Sequence, residues 1–258
     1  MKKTLVTLLA LASSAMGADQ AAVVEAAFSL TDFSTYKTTT ISEGGWTVNN
    51  RNSNVEAGKS LQFTNDVLFL SYGGEGYDAL HNNNVVFTFV LSGLSSATGL
   101  DALYTLHTHA PNNSGSNVIG MCLDSENPSA LTGIAGGSQW GDNRNKDIVY
   151  PSTGSFVLTV AHTSNGTKVY VDGTLQATIS GLQYTGEAHT MKQLNFGNTS
   201  GGSAGVNVTL EGLYIHNQAL TDAQVGDFVQ SLAVVPEPAT ATLSLLALAG
   251  LAVRRRRR

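Results

Sequence analysis

The segment from Ser155 to Ser180 limits the folds open to this chain more than any other. Ser155-Phe156-Val157-Leu158-Thr159-Val160-Ala161-His162 is followed by Asn165-Gly166 and then by Thr167-Lys168-Val169-Tyr170-Val171. Asn-Gly accepts the positive φ angles of a type I′ turn, so the flanking runs are predicted to form an antiparallel hairpin. Asp172-Gly173 begins a second turn into Thr174 to Ser180, which makes a three-stranded meander. With a side-chain period of two, Phe156, Leu158 and Val160 share one face, as do Val169 and Val171. A sheet of this kind buries one face against a second sheet.

Further strand-like runs punctuated by turn residues recur at Ser60 to Leu70, Asn84 to Ser92, Ala102 to Thr108, Asn117 to Leu123 and Gln193 to Gly197. No repeat of 20 to 50 residues is evident, and no Pro- or charge-rich linker interrupts residues 20 to 232. One all-β antiparallel sandwich domain over 18–232 is therefore the expectation. One soluble helix follows its last strand. Thr221 is placed to cap it, with Gln224 as the reciprocal partner and Leu220 and Val225 at the staple positions. Val225, Phe228, Val229 and Leu232 form its apolar face, and the helix is expected at the sandwich edge.

The two ends read as addresses. Met1-Lys2-Lys3, the apolar Leu5 to Ala12 and the small residues around Ala15-Met16-Gly17 make a signal peptide over 1–17. Residues 233–258 hold Val235-Pro236-Glu237-Pro238, an apolar run from Ala239 to Val253, and the cluster Arg254 to Arg258. Fifteen helical residues cover about 22 Å, short of a hydrocarbon core of roughly 30 Å. The arginines would stay cytoplasmic and stop translocation. The ends are thus expected to carry signal and anchor helices, with the tail at least transiently in the membrane.

The order Pro236-Glu237-Pro238, short apolar helix, Arg254 and Arg255 at the head of a basic cluster resembles the PEP-CTERM sorting signal. The resemblance implies recognition by a membrane exosortase, a Gram-negative-type envelope and an exopolysaccharide-producing habit. Gly58 to Phe63, Phe156 to Ala161, Val169-Tyr170-Val171-Asp172-Gly173 and Gly212 to Thr221 resemble the LamG-like jelly rolls of the concanavalin A-like lectin/glucanase group.

Charge narrows the partners. Seven of the 14 basic residues lie in the terminal signals, and without those ends the domain carries 18 acidic and 7 basic residues, a net of −11. Nucleic acid is a poor partner for such a surface, while neutral glycans, proteins and cations stay open. The lone Cys122 sits in the apolar run Val118 to Leu123, where a buried inert thiol is expected.

Glycoside hydrolysis needs two carboxyl groups about 5 to 9 Å apart. The Glu-x-Asp-x-x-Glu strand that the glucanase resemblance implies is missing, and the nearest pair, Asp124 and Glu126, runs into the loop residues Asn127-Pro128. His107 and His109 share a strand face with no nearby carboxylate to complete a metal set. Neither His162 nor His189 accompanies a Gly-x-Ser-x-Gly elbow. Calcium is the ion the resemblance suggests, yet where related domains carry an Ile-Asp-Glu strand this chain reads Leu210-Glu211-Gly212, leaving Glu211 as a candidate oxygen ligand or a plain surface glutamate. For sugar binding, Trp140 with Asp142, Asn143 and Arg144 offers an aromatic face beside polar groups, and Tyr72 to Asn84 is second. The expectation is an exported, surface-sorted carbohydrate- or protein-binding module. A glycoside hydrolase and a ligand-free structural surface protein are the alternatives.

Overall fold

The computed structural model describes residues 22–49, 57–72, 84–96, 101–109, 117–123, 130–136, 148–163, 165–180, 190–198 and 205–233. Among them, antiparallel strands stack in two layers. The first sheet has the order β1 (Phe28–Leu30), β15 (Val206–His216), β6 (Val85–Ser96), β11 (Ser155–Thr163), β12 (Gly166–Val171), β13 (Thr174–Ile179), with β4 (Leu61–Thr64) also on β15. The second has the order β10 (Ile148–Val149), β9 (Ala130–Gly136), β8 (Asn117–Leu123), β7 (Ala102–His109), β14 (Thr190–Phe196), β5 (Leu68–Tyr72), β3 (Trp46–Asn49), β2 (Ser42–Glu43).

The expected meander is present, with one shift. Asp172 and Gly173 have φ of 49° and 77°, the left-handed pair a type I′ turn requires, between the partners Val171 and Thr174. Asp172 is also tied to the neighbouring strand: its N–H donates to Val157 O, and its Oδ1 accepts the Val157 N–H, each at 2.8 Å. The first hairpin closes at Thr163↔Gly166, one position earlier than an Asn165-Gly166 centre would put it. Gly166 is instead needed as a strand residue, because its φ is 125° and a Cβ there would run into Ile179 O on β13.

The run Ser60 to Leu70 is two strands in different sheets, not one. Asn65 breaks it with φ 60°, and its Oδ1 accepts both Asn198 Nδ2 and the Gly205 N–H at 2.9 Å. These partners, more than 130 residues away, hold a bend that local propensity does not announce.

Aromatic rings from both layers interlock in the core. Phe87 and Phe89 of the first sheet meet Trp46, Tyr104 and Phe196 of the second at centroid separations of 5.2 to 6.3 Å. Phe156, Leu158, Val160, Val169 and Val171 are all buried there, as their alternation requires. Cys122 is buried too.

Helix α1 (Asp222–Ala233) has the expected capping box: Gln224 N–H donates to Thr221 Oγ1 at 3.2 Å, and Thr221 N–H to Gln224 Oε1 at 2.9 Å. It does not sit at the edge. Leu220, Val225 and Val229 pack with Val86, Ala161 and Tyr170 from β6, β11 and β12 on the outer face of the first sheet. Those outward residues are apolar, so the helix covers a surface that would otherwise face water. Among the described residues no helix is long and apolar enough to cross a membrane. The run Ala239 to Val253 lies outside them, as does the signal peptide.

Candidate functional site

Glu211 is the extra residue of a β-bulge: Leu210 pairs with Leu91 and Gly212 with Val90, leaving Glu211 between them. The bulge turns its carboxylate toward the cross-strand pair Ser92 and Ser155. Ser92 Oγ donates to Oε1 at 2.6 Å, and Ser155 Oγ lies 3.1 and 3.3 Å from the two oxygens. Two neutral hydroxyls thus occupy the carboxylate. A calcium ion takes 6 to 8 oxygens, several of them anionic. Among the described residues no group of three His, Cys, Asp or Glu side chains converges.

The other polar constellation lies on the outer face of the second sheet. Leu68, Leu70, Leu194 and Phe196 point into the core, so alternation sends Phe69, Ser71 and Asn195 the other way. Register then lines up Asn49, Phe69, Asn195 and Thr105 across four strands, and Thr47, Ser71, Gln193 and His107 in the adjacent row. Asn195 Nδ2 reaches Thr105 Oγ1 at 3.4 Å, both residues fully buried, while Phe69, Ser71 and Thr47 are half-buried. Ser42 and Thr47 share a hydroxyl contact of 2.9 Å at the sheet margin. The half-buried Phe69 ring beside the Thr47 and Ser71 hydroxyls is chemistry suited to a neutral polyhydroxylated ligand, while the Asn195–Thr105 pair is buried. Sequence inspection missed this group because its members come from β3, β5, β7 and β14, and only the pairing order unites them. The β7 alternation and the Phe69-x-Ser71 spacing were the available signals.

His109 pairs with Thr190, two strand positions from His107. Trp140, Asp142, Asn143 and Arg144, the pair Asp124 and Glu126, and the tail residues Pro236, Glu237, Pro238, Arg254 and Arg255 lie outside the described residues. Within the described strands only Glu43 and Glu211 are acidic, one in each sheet.

The profile of the concanavalin A-like lectin/glucanases superfamily matches residues 96–226, and the PEP-CTERM protein-sorting motif matches residues 234–258. The motif implies export to the bacterial surface or envelope and processing by an exosortase-type sorting enzyme. A search of curated proteins found no match. Among solved structures, the fold resembles Trypanosoma rangeli sialidase, with a TM-score of 0.59 at 12% identity, covering 77% of this chain and 32% of that one. It also resembles the binding domain of botulinum neurotoxin serotype D/C, with a TM-score of 0.54 at 15% identity, covering 81% and 52%. The chain therefore spans about a third of the sialidase and about half of the toxin domain.

Proposed function

The chain belongs to the concanavalin A-like lectin/glucanase superfamily, and from that premise we propose that it is a surface module that binds a neutral glycan or a glycan-bearing surface protein. The observation that carries this reading is the pair of rows on the second sheet, where Phe69 stands among Thr47, Ser71 and Asn195 with no carboxylate in the described part of either row. The partly exposed hydroxyls of Thr47 and Ser71 with one aromatic ring suit recognition of sugar hydroxyls more than general acid–base chemistry, which needs paired carboxyl groups. The acidic charge of the domain points the same way, since it favours uncharged ligands over polyanions. The motif-bearing tail would hold the protein at a Gram-negative-type envelope, in the membrane until it is processed, and so place the module beside exported polysaccharide.

A glycan array run with the purified protein, alongside a hydrolysis screen on the same sugars, tests the reading. Saturable binding without turnover is the expected result. Turnover of any array sugar would replace the module with a glycoside hydrolase. Absence of signal together with concentration-dependent self-association across a dilution series would favour a structural surface protein.

A further inference from the structure

Beside the patch that α1 covers, the outer face of the first sheet carries a second set of polar groups. Phe89, Leu91, Phe156 and Leu158 point into the core, so Val90, Ser92, Ser155 and Val157 point outward. Val90 pairs with Val157 on one side and with Gly212 on the other. The bulge at Glu211 brings its carboxylate to the Ser92–Ser155 end of this patch. Tyr214 closes the opposite end. A Cβ on Gly212 would stand 3.2 Å from Tyr214 Cε2, 3.4 Å from Val90 Cγ2 and 3.6 Å from Tyr214 Oη. The ring therefore folds back along β15 over the space that glycine leaves, its hydroxyl beside the chain neighbour of Glu211. Phe228 meets it edge-to-face at 5.4 Å from the helix side. Val90, Ser92, Val157, Glu211 and Tyr214 are half-buried, and Ser155 is exposed.

A count of hydrogens defines what this patch can take. Each serine hydroxyl has one to give. Ser92 directs its own to Glu211 Oε1, and Ser155 shares its own between the two oxygens. What the serines turn to a ligand is lone pairs. The carboxylate adds acceptor capacity at Oε2, which has a single contact at 3.3 Å. Among the described residues Glu211 has no cationic partner. Among these groups an anion or a carbonyl would find only the Tyr214 hydroxyl as a donor. An ammonium group is the converse, with three donors, no acceptor and a positive charge. The Val90–Val157 floor and the Tyr214 ring beside it match the apolar face of a pyranose.

We propose that this patch is a second binding site, for an amine-bearing sugar residue whose ammonium group donates to Glu211 and the two serines. It does not rest on the Phe69 rows of the other sheet. The test is calorimetric titration of the purified full-length protein with a glucosamine tetramer, its fully N-acetylated counterpart and a lysine tetrapeptide. Saturable binding of the glucosamine tetramer, about tenfold tighter than that of the acetylated one, is expected. Glu211→Gln keeps an oxygen for the serines and should weaken binding about tenfold. Glu25→Gln, an equal change of charge at an exposed position, should leave it unaltered. If Glu211→Gln loses its near-UV circular dichroism, Ser155→Ala takes its place, with a loss of about threefold. Equal affinity for the two sugars, full affinity in the folded variant, or the same loss in Glu25→Gln would overturn the site. A lysine peptide that binds as tightly as the amino sugar would hand the patch to protein side chains and overturn its assignment to a sugar. Displacement of the tetramer by calcium, reversed by a chelator, would give the carboxylate to the ion and overturn it too.

Discussion

Tyr104 and His162 enter the core from opposite sheets and meet there, with 3.3 Å between the phenol oxygen and Nε2. The other ring nitrogen, Nδ1, lies 2.8 Å from Thr167 Oγ1, so both nitrogens have partners in a layer otherwise packed with Phe87 and its neighbours. Burial pushes the tyrosine pKa up and holds that of His162 down, from 6.5 to about 4. The neutral ring is thus the form that fits.

Acid should weaken the fold through this residue. The unfolded chain binds a proton at His162 near pH 6.5 and the folded chain only near pH 4, so stability is complete above pH 6.5 and declines as the pH falls between those values. The full loss for this group is on the order of 3 kcal/mol. His216, whose pKa burial also lowers, adds in the same direction. Urea midpoints at pH 7 and pH 4.5 should separate more for the wild type than for His162→Gln; equal separations would show that the ring does not carry the effect.

The Asp172-Gly173 turn should tolerate one substitution and reject another. Asp172→Ala removes the acceptor for the Val157 N–H and puts an alanine at φ 49°, together costing about 2 kcal/mol. Asp172→Asn keeps an acceptor and tolerates the left-handed backbone, so its cost should stay under about 1 kcal/mol. Thermal unfolding of the two variants decides it.

Loss of the helix cap should be measurable and local. Thr221→Ala removes the oxygen that accepts the Gln224 N–H and should cost about 1 kcal/mol. Hydrogen exchange should show the added opening concentrated in α1. Uniform loss of protection across β6 and β11 would contradict a helix that opens by itself.

Phe69→Ala separates binding from stability. The ring is half-buried on the outer face, so the fold should persist with a modest cost, while affinity for a glycan identified on the array should drop about tenfold. Unchanged affinity would move the site elsewhere on the domain.

Glu211 offers a test of the calcium expectation. With Ser92 and Ser155 on its carboxylate, added calcium and a chelator should leave the same melting temperature. A rise of several degrees with calcium, absent in Glu211→Gln, would mean that the ion displaces the serines.

The sequence by itself determined what short-range rules control. Asp172-Gly173 dictated its turn, since few residue pairs accept two positive φ angles in succession. The period of two placed Phe156, Leu158 and Val160 on the buried face, and Thr221 with Gln224 announced the start of α1. The terminal charge and hydropathy pattern marked the sorting signal, because that pattern acts as a linear code.

Tertiary structure decided whatever depends on a distant partner. Asn65 bends Ser60 to Leu70 because Asn198 and Gly205 reach it, Glu211 bulges toward Ser155, 56 residues away, and Phe69 joins Asn195 and Thr105 only through strand order. The helix lies on the sheet face because Val86, Ala161 and Tyr170, from three different strands, together form the apolar patch it covers. Turn angles and side-chain periods act within a few residues. Register and sheet-on-sheet packing are settled by pairing energies across the whole chain, which no local window contains.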